Sequence, residues 1–270
     1  MTWISDIPPP RSTIGLRAWP RIVWRGGMLF FLVLVGLGVK LVLRVIERPL
    51  FGLRRPITPW ITQAVCRMAL MIIRLPLHIE GQPMRQRGAI VANHASWLDI
   101  FVLNAADRVF FGSKAEVADW PGIGWLARAT GTVFIRRDRR EASQQKLLFE
   151  ARLRAGHRLL FFPEGTSSDA QRVLPFKSTL FAAFFVPELR DFLHIQPVSI
   201  TYHAPKDADP RFYGWWGDMD FAAHLLAVLA QQRQGRVTLV FHKPIEVAEM
   251  ADRKAMTLAA EAAVRAGFAA

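Results

Sequence analysis

The stretch that decides the fold is GAIVANHASWLDIFVLNAA, Gly88 to Ala106. GAIVAN is an unbroken small and apolar run of the kind found in a strand buried on both faces, and WLDIFVLNAA reads as a helix. Between them the chain turns in a few residues, with Ser96 placed to cap the helix. His94 therefore lies on a strand-to-helix loop and Asp99 in the first turns that follow. Positions five apart on one helix are rotated by about 140°, so the pair can meet only because His94 stands outside it. A carboxylate that accepts from one imidazole nitrogen fixes the tautomer and makes the other nitrogen more basic, which is what a general base requires. Taken alone, the pair reads equally well as a polar tie across an ordinary strand-to-helix loop.

Outward from this unit, LHIE, RVFFGSK, GTVFIRR, HRLLFFPE, IQPVSITYH and RVTLVFHKPI are further strand candidates, and EASQQKLLFEARLRA and FAAHLLAVLAQQR are helical. Apolar strands interleaved with helices predict an α/β domain over residues 76–270, with a mixed, largely buried sheet flanked by helices. The polar, proline-bearing HAPKDADPRFYGWWGDMD is the one long irregular insertion. Its Trp215 and Trp216 are expected to anchor at a membrane interface.

Residues 1–75 have a different composition and predict a membrane-associating two-helix hairpin. GGMLFFLVLVGLGV, Gly26 to Val39, is uncharged but shorter than the roughly 20 residues a span needs. Arginines lie on both sides of it, which favours a segment that enters the membrane surface and returns over a simple crossing; a tilted span, with Lys40 and Arg44 snorkelling, is the alternative. Polar DIPPPR before the run argues against a cleaved signal peptide, so the anchor is expected to be retained. The second helix runs from Thr58, a plausible cap followed by Pro59, to Leu75. Periodicity leaves open whether it faces lipid or packs on the domain.

The 270 residues are 51% hydrophobic and 21% charged, which excludes a disordered chain. A net charge of +13 calls for an anionic partner. The chain has no nucleic-acid-binding motif and its basic residues concentrate beside the apolar hairpin, so a membrane fits better than nucleic acid. The single cysteine, Cys66, excludes a disulfide framework within the chain and reads as a small buried hydrophobe. A metal-dependent hydrolase would need more ligands than His94 and Asp99. A scaffold would require the pair to be inert.

Other stretches add a polar, cationic rim at one edge of the sheet. In FFPEGTSSD, Gly165 and Thr166 follow a strand and Glu164, in a turn where backbone amides and a hydroxyl can hold a polar head group. GTVFIRRDRR places arginines, Arg137 among them, at the end of another strand, where forked donors suit phosphate. Lys114 and Lys177 add cations at corresponding positions.

NHASWLD, GTVFIRR, FPEGTS and QPVSI, in this order, resemble the four sequence blocks of the glycerolipid acyltransferase family, which includes bacterial lysophosphatidic acid acyltransferases. The resemblance covers roughly residues 76–202, and the N-terminal hairpin also looks like that of bacterial members. It implies acyl transfer from a thioester, acyl-CoA or acyl-carrier protein, to a lysolipid hydroxyl at the bilayer, without cofactor or metal. His94 and Asp99 take the family's catalytic positions, and Arg137 takes its phosphate-contacting one. Glu164, Gly165 and Thr166 organise the acceptor head group, with Arg137, Lys177 and Lys114 offsetting its charge. The expected acceptor is 1-acyl-sn-glycerol-3-phosphate; lyso-ornithine lipid is the alternative. Arg136 stands where many members have aspartate and Ser167 where many have arginine, so the cationic lining is redistributed, as a phosphate-free acceptor would explain. Ser96, without a Gly-x-Ser-x-Gly elbow, is a poor nucleophile, which favours direct transfer. The expected location is the cytoplasmic face of a bacterial inner membrane, monotopic or single-span.

Overall fold

The computed structural model describes residues 3–10, 13–120, 122–135 and 142–268. Two helices come first, α1 (Trp19–Phe51) and α2 (Thr58–Ile73). The body then runs β1 (Leu77–Glu80), β2 (Gly88–Ala92), α3 (Asp99–Ala106), β3 (Phe110–Lys114), α4 (Ile123–Thr130), β4 (Val133–Ile135), α5 (Ala142–Arg154) and β5 (Leu159–Phe161). It closes with α6 (Pro187–Arg190), β6 (His194–His203), α7 (Phe221–Ala230), β7 (Arg236–Phe241), β8 (Ile245–Glu246) and α8 (Arg253–Phe268).

The strands form one eight-stranded sheet in the order β1-β7-β6-β2-β5-β3-β4, with β8 beside β6. Pairing is parallel except where β7 and β8 meet β6, so the sheet is mixed, as the strand pattern predicts. Strand β2 is central and fully buried, because successive side chains enter different layers. Ile90 and Ala92 join the core on one face, and Ala89 and Val91 the core on the other. Only apolar residues suit such a position, which is why GAIVA contains nothing else.

The hairpin departs from expectation in instructive ways. The apolar run does not set the length of α1, which extends over 33 residues. Lys40, which interrupts the run, is buried against α2 with its ammonium donating to the Thr62 hydroxyl. Arg44 pairs with Glu47 at 3.3 Å. The segment Leu16–Phe51 is thus long and apolar enough to cross a membrane by length and composition. Gly36 is required where the two helices touch, since a Cβ there would collide with Val65.

Thr58 is not the cap of α2. Glu47 reaches across from α1, accepting from the backbone N–H groups of Ile57 (2.7 Å) and Thr58 (3.1 Å) and from the Thr58 hydroxyl (2.6 Å). A buried carboxylate thereby satisfies donors that the first turn of a helix leaves open. Helix α2 packs on the body: it buries Cys66, Ala69, Leu70 and Ile73, and Gln63 and Arg67 donate to the carbonyls that end α3. On the outer face of α1, Trp24, Phe30, Phe31, Val45 and Leu50 are each more than two-thirds exposed, between 68% and 75%.

Trp216 is not an interface anchor. It is buried, 6.3 Å from the ring of Trp3, while the Trp215 indole donates to the Met219 carbonyl. The insertion folds back over the body and screens these rings.

Candidate active site

Parallel strands β2, β5, β3 and β4 all end on one side of the sheet, and the loops leaving them meet there, as in open α/β sheets generally. The loop after β2 carries His94. Asn93 pins that loop by a pair of hydrogen bonds with the backbone of Ile200 on β6, each 2.8 Å. The His94 N–H donates to Glu164 (2.8 Å), and its carbonyl accepts from Ser168 N–H (2.9 Å). The ring stacks on Phe162 with centroids 4.0 Å apart and planes 12° apart. Backbone and ring are both held before any ligand arrives.

Asp99 completes the arrangement. It is fully buried; one carboxylate oxygen meets His94 Nδ1 at 2.7 Å and accepts from the N–H groups of Ala95 (2.8 Å) and Ser96 (3.1 Å). The other accepts from the Tyr202 hydroxyl at 2.7 Å. Ser96 is therefore not the cap: α3 starts at Asp99, whose own carboxylate reaches back to the preceding amides, and the Ser96 hydroxyl finds no partner. With Asp99 accepting from Nδ1–H, the Nε2 atom is left with a lone pair; it makes no hydrogen bond among the described residues.

Glu164 is buried behind His94 rather than facing the cleft. One oxygen takes the His94 N–H and the other the Leu174 N–H at 2.7 Å. Burial pushes its carboxyl up to about 8, against the pull of those two amides, with the Asp99 charge adding to the rise. Gly165 has φ +72°, the region that favours glycine, and Lys177 Nζ, the mobile end of an exposed side chain, would lie 2.8 Å from a Cβ there. Thr166 Oγ1 accepts from the backbone N–H of Trp3 at 3.1 Å, which brings the N-terminal segment over this turn.

A cleft of about 220 Å³ opens beside these groups, lined by Gly112, Lys114, Ile135, Phe162, Gly165 and Leu180. Phe162 separates it from the imidazole. Lys114, at the end of β3, and Lys177, over Gly165, are both exposed. His94, Asp99, Glu164, Gly165 and Lys177 thus come together, with Lys114 across the cleft; Arg137 lies outside the described residues.

Reading the sequence missed Tyr202, Asn93, Phe162 and Trp3. Asn93 and Phe162 stand inside motifs already singled out, and Tyr202 closely follows QPVSI. Trp3 carries no sequence signal at all.

A histidine held by a buried carboxylate on the loop after a central parallel strand is an arrangement able to take a proton from an attacking group. A family model described as Acyltransferase matches residues 76–201, and the chain belongs to this family. It is 55% identical to a lyso-ornithine lipid O-acyltransferase of Rhodobacter capsulatus over 98% of this chain and 96% of that one. It is 34% identical to the protein of the same name from Pseudomonas aeruginosa, covering 91% and 92% of the two chains. Against a 1-acyl-sn-glycerol-3-phosphate acyltransferase of Neisseria gonorrhoeae, identity is 36% over 44% of this chain and 48% of that one. In fold it is similar to the crystal structure of the 1-acyl-sn-glycerophosphate acyltransferase of Thermotoga maritima, with a TM-score of 0.65 at 21% identity, covering 94% and 95% of the two chains.

Proposed function

We propose that this chain is a lyso-ornithine lipid O-acyltransferase that moves a fatty acyl group from an acyl thioester to the hydroxyl of the lysolipid. The observation that carries the choice of acceptor is coverage: the ornithine-lipid relatives match it nearly end to end, the glycerol-phosphate relative over less than half. Ser167, which is buried and uncharged in the turn beside Thr166, fits an acceptor that needs fewer guanidiniums than a phosphate monoester.

In the proposed reaction the acceptor hydroxyl donates to His94 Nε2 while its oxygen attacks the thioester carbonyl. The C–O ester bond forms and the C–S bond breaks; the proton passes from the hydroxyl to His94 and on to the departing thiolate. Asp99 holds the tautomer and stabilises the imidazolium that forms, and Tyr202 and the two loop amides hold Asp99. Glu164 acts as a positioning residue behind His94. Gly165, Thr166, Lys177 and Lys114 border the acceptor site, and Arg137, by its place in the GTVFIRR motif, is assigned to contact the acceptor.

The lipid reaches the site from the plane of the membrane. Arg21 and Arg25, near the start of α1, donate to carbonyls of Leu229, Ala230 and Gln231, and Arg55, just past its end, donates to Ala129. A helix tied to the body at both ends runs along it, so its exposed apolar side chains favour lying in the membrane surface over crossing it. The basic flanks favour the cytoplasmic face.

The test is acyl transfer by the detergent-solubilised full chain from labelled acyl-CoA, and separately from acyl-carrier protein, to lyso-ornithine lipid and to lysophosphatidic acid, with His94→Ala as control. Product from lyso-ornithine lipid that disappears in the variant supports the proposal. Product from lysophosphatidic acid alone replaces the acceptor, and no product from either acceptor with either donor overturns the reading.

A further inference from the structure

At the opposite end of the sheet, where β3 and β5 begin, lies a second and larger cavity of about 460 Å³. Its size falls in the range of about 300–1,000 Å³ typical of ligand pockets. Four arginines line it from three separate segments: Arg54 and Arg55 from the turn of the helical hairpin, Arg108 before β3 and Arg158 before β5. No carboxylate is among the described lining residues. Arg158 is already engaged, pairing with Asp107 at 2.8 Å and donating to the Met84 carbonyl at 2.7 Å. The Arg108 guanidinium carbon sits over Trp60, 3.7 Å from the ring centroid, and Arg55 gives one hydrogen bond to the Ala129 carbonyl at 3.3 Å. Among the described residues, the guanidiniums of Arg54, Arg55 and Arg108 form no ion pair.

The wall of the cavity holds a second, independent sign. His157 is 5% exposed, stacked on Phe110 at 4.2 Å, and neither ring nitrogen completes a hydrogen bond of ordinary geometry. Burial pushes this imidazole down to about 3, with the charges of Arg152 and Arg55 adding to the effect and the Leu53 backbone opposing it in part. It is therefore a neutral group among guanidiniums, whose N–H approaches the Leu53 backbone without completing a hydrogen bond of ordinary geometry. Buried polar groups are ordinarily satisfied, and converging cations gain most from an anion placed among them. The rim decides what kind of anion: Leu50, Phe51, Leu53, Ile57 and Trp60, all exposed apolar side chains, surround the hairpin turn at its mouth. Such a rim belongs in the acyl region of a bilayer surface, which puts the arginines at headgroup depth.

We infer that this cavity is a binding site for a phosphate group, that of a membrane phospholipid, distinct from the loop that carries His94. Arg54, Arg55 and Arg108 engage the phosphate oxygens and His157 turns its N–H from the Leu53 backbone to the phosphate. The site would seat the hairpin turn on anionic lipid and so set the height at which the His94 end meets the membrane.

The test must separate this pocket from the chain's general positive charge. The full chain and two charge-matched variants are compared: Arg55→Gln with Arg108→Gln in the pocket, and Arg253→Gln with Lys254→Gln at the exposed start of α8. One arm titrates inorganic phosphate by calorimetry; the other measures flotation with phosphatidylcholine vesicles with and without phosphatidylglycerol. The pocket variant is expected to lose about tenfold or more in affinity for phosphatidylglycerol vesicles, and the α8 variant far less. Weakened binding in both arms, or in the vesicle arm alone, supports a phospholipid phosphate. Loss of phosphate binding with flotation intact keeps the chemistry but assigns a soluble phosphorylated ligand, overturning the lipid source. Equal behaviour of the two variants in both arms overturns the site. Arg54→Gln, on an exposed side chain, repeats the comparison if the double variant does not fold; His157→Phe should weaken binding more than His157→Gln, which keeps a donor.

Discussion

Two buried carboxylates in this protein are dressed almost alike and do different work. Glu47, in the hairpin, takes two backbone N–H groups and the hydroxyl of Thr58, and its remaining partner is Arg44. Asp99, in the loop after β2, takes two backbone N–H groups and the hydroxyl of Tyr202, and its remaining partner is His94. In each case a carboxylate out of water recovers its lost hydration through fixed donors. What separates them is the last partner. A guanidinium is charged at every accessible pH and returns nothing, whereas an imidazole can take up a proton on its far nitrogen and release it. The hairpin device holds structure; the loop device holds structure and leaves one atom free for chemistry.

The largest expected effect breaks the second device and spares the first. His94→Ala should lower acyl transfer by about a thousandfold, the scale of losing a general base, with the melting temperature nearly unchanged. Asp99→Asn keeps the shape but offers Nδ1 a donor, and should cost about a hundredfold in kcat with KM for the acceptor little changed. Glu47→Ala should do the reverse. Stripping the cap from α2 and leaving buried donors open should cost about 2–3 kcal/mol by thermal or urea unfolding, while kcat per folded molecule in detergent stays within a factor of about two. Tyr202→Phe removes one donor from Asp99 and should reduce kcat about tenfold, the equivalent of one hydrogen bond to a charged group. Loss of folding in Tyr202→Phe, or a change in KM alone, would contradict its place behind Asp99.

Glu164 supplies the most specific test. Its folded pKa, near 8, stands above the ordinary carboxylate value, so between those limits the native chain keeps a proton that the unfolded chain has released. Stability contributed by this group is therefore present below about pH 4.5 and declines as pH rises toward 8, by at most about 1.4 kcal/mol per unit. Glu164→Gln should flatten that part of the melting-temperature profile. A steeper decline in the variant than in the parent would show that the two amides hold Glu164 ionised.

Much of the candidate site was legible because it is local. His94 and Asp99 are five residues apart, and strand-to-helix geometry alone brings them together. Tyr202 was not legible, because it lies 103 residues from Asp99 and arrives only through the pairing of β2 with β6. The two mistaken caps share one cause. Ser96 and Thr58 are the residue types that cap helices, yet in each case a carboxylate from another place takes the nearby amides, Asp99 those of Ala95 and Ser96 just ahead of α3 and Glu47 those of Ile57 and Thr58. Preferences at helix ends act over a few residues and yield to a stronger acceptor that folding delivers. The length of α1 was misjudged for the same reason, since a lysine ends an apolar run on paper but not when a second helix offers it a hydroxyl.

By itself the sequence determined the elements and their class: apolar runs that can only be buried strands, an apolar hairpin bordered by arginines, and a histidine one short loop ahead of an aspartate. These follow from periodicity and spacing, which act along the chain. Only the tertiary structure decided which carboxylates would lose their water, and that Glu164 would stand behind His94. It also decided that arginines from distant segments would converge around a buried His157 that completes no ordinary hydrogen bond at the far end of the sheet. Burial and convergence depend on which surfaces meet, and sheet order and register set that across the whole chain.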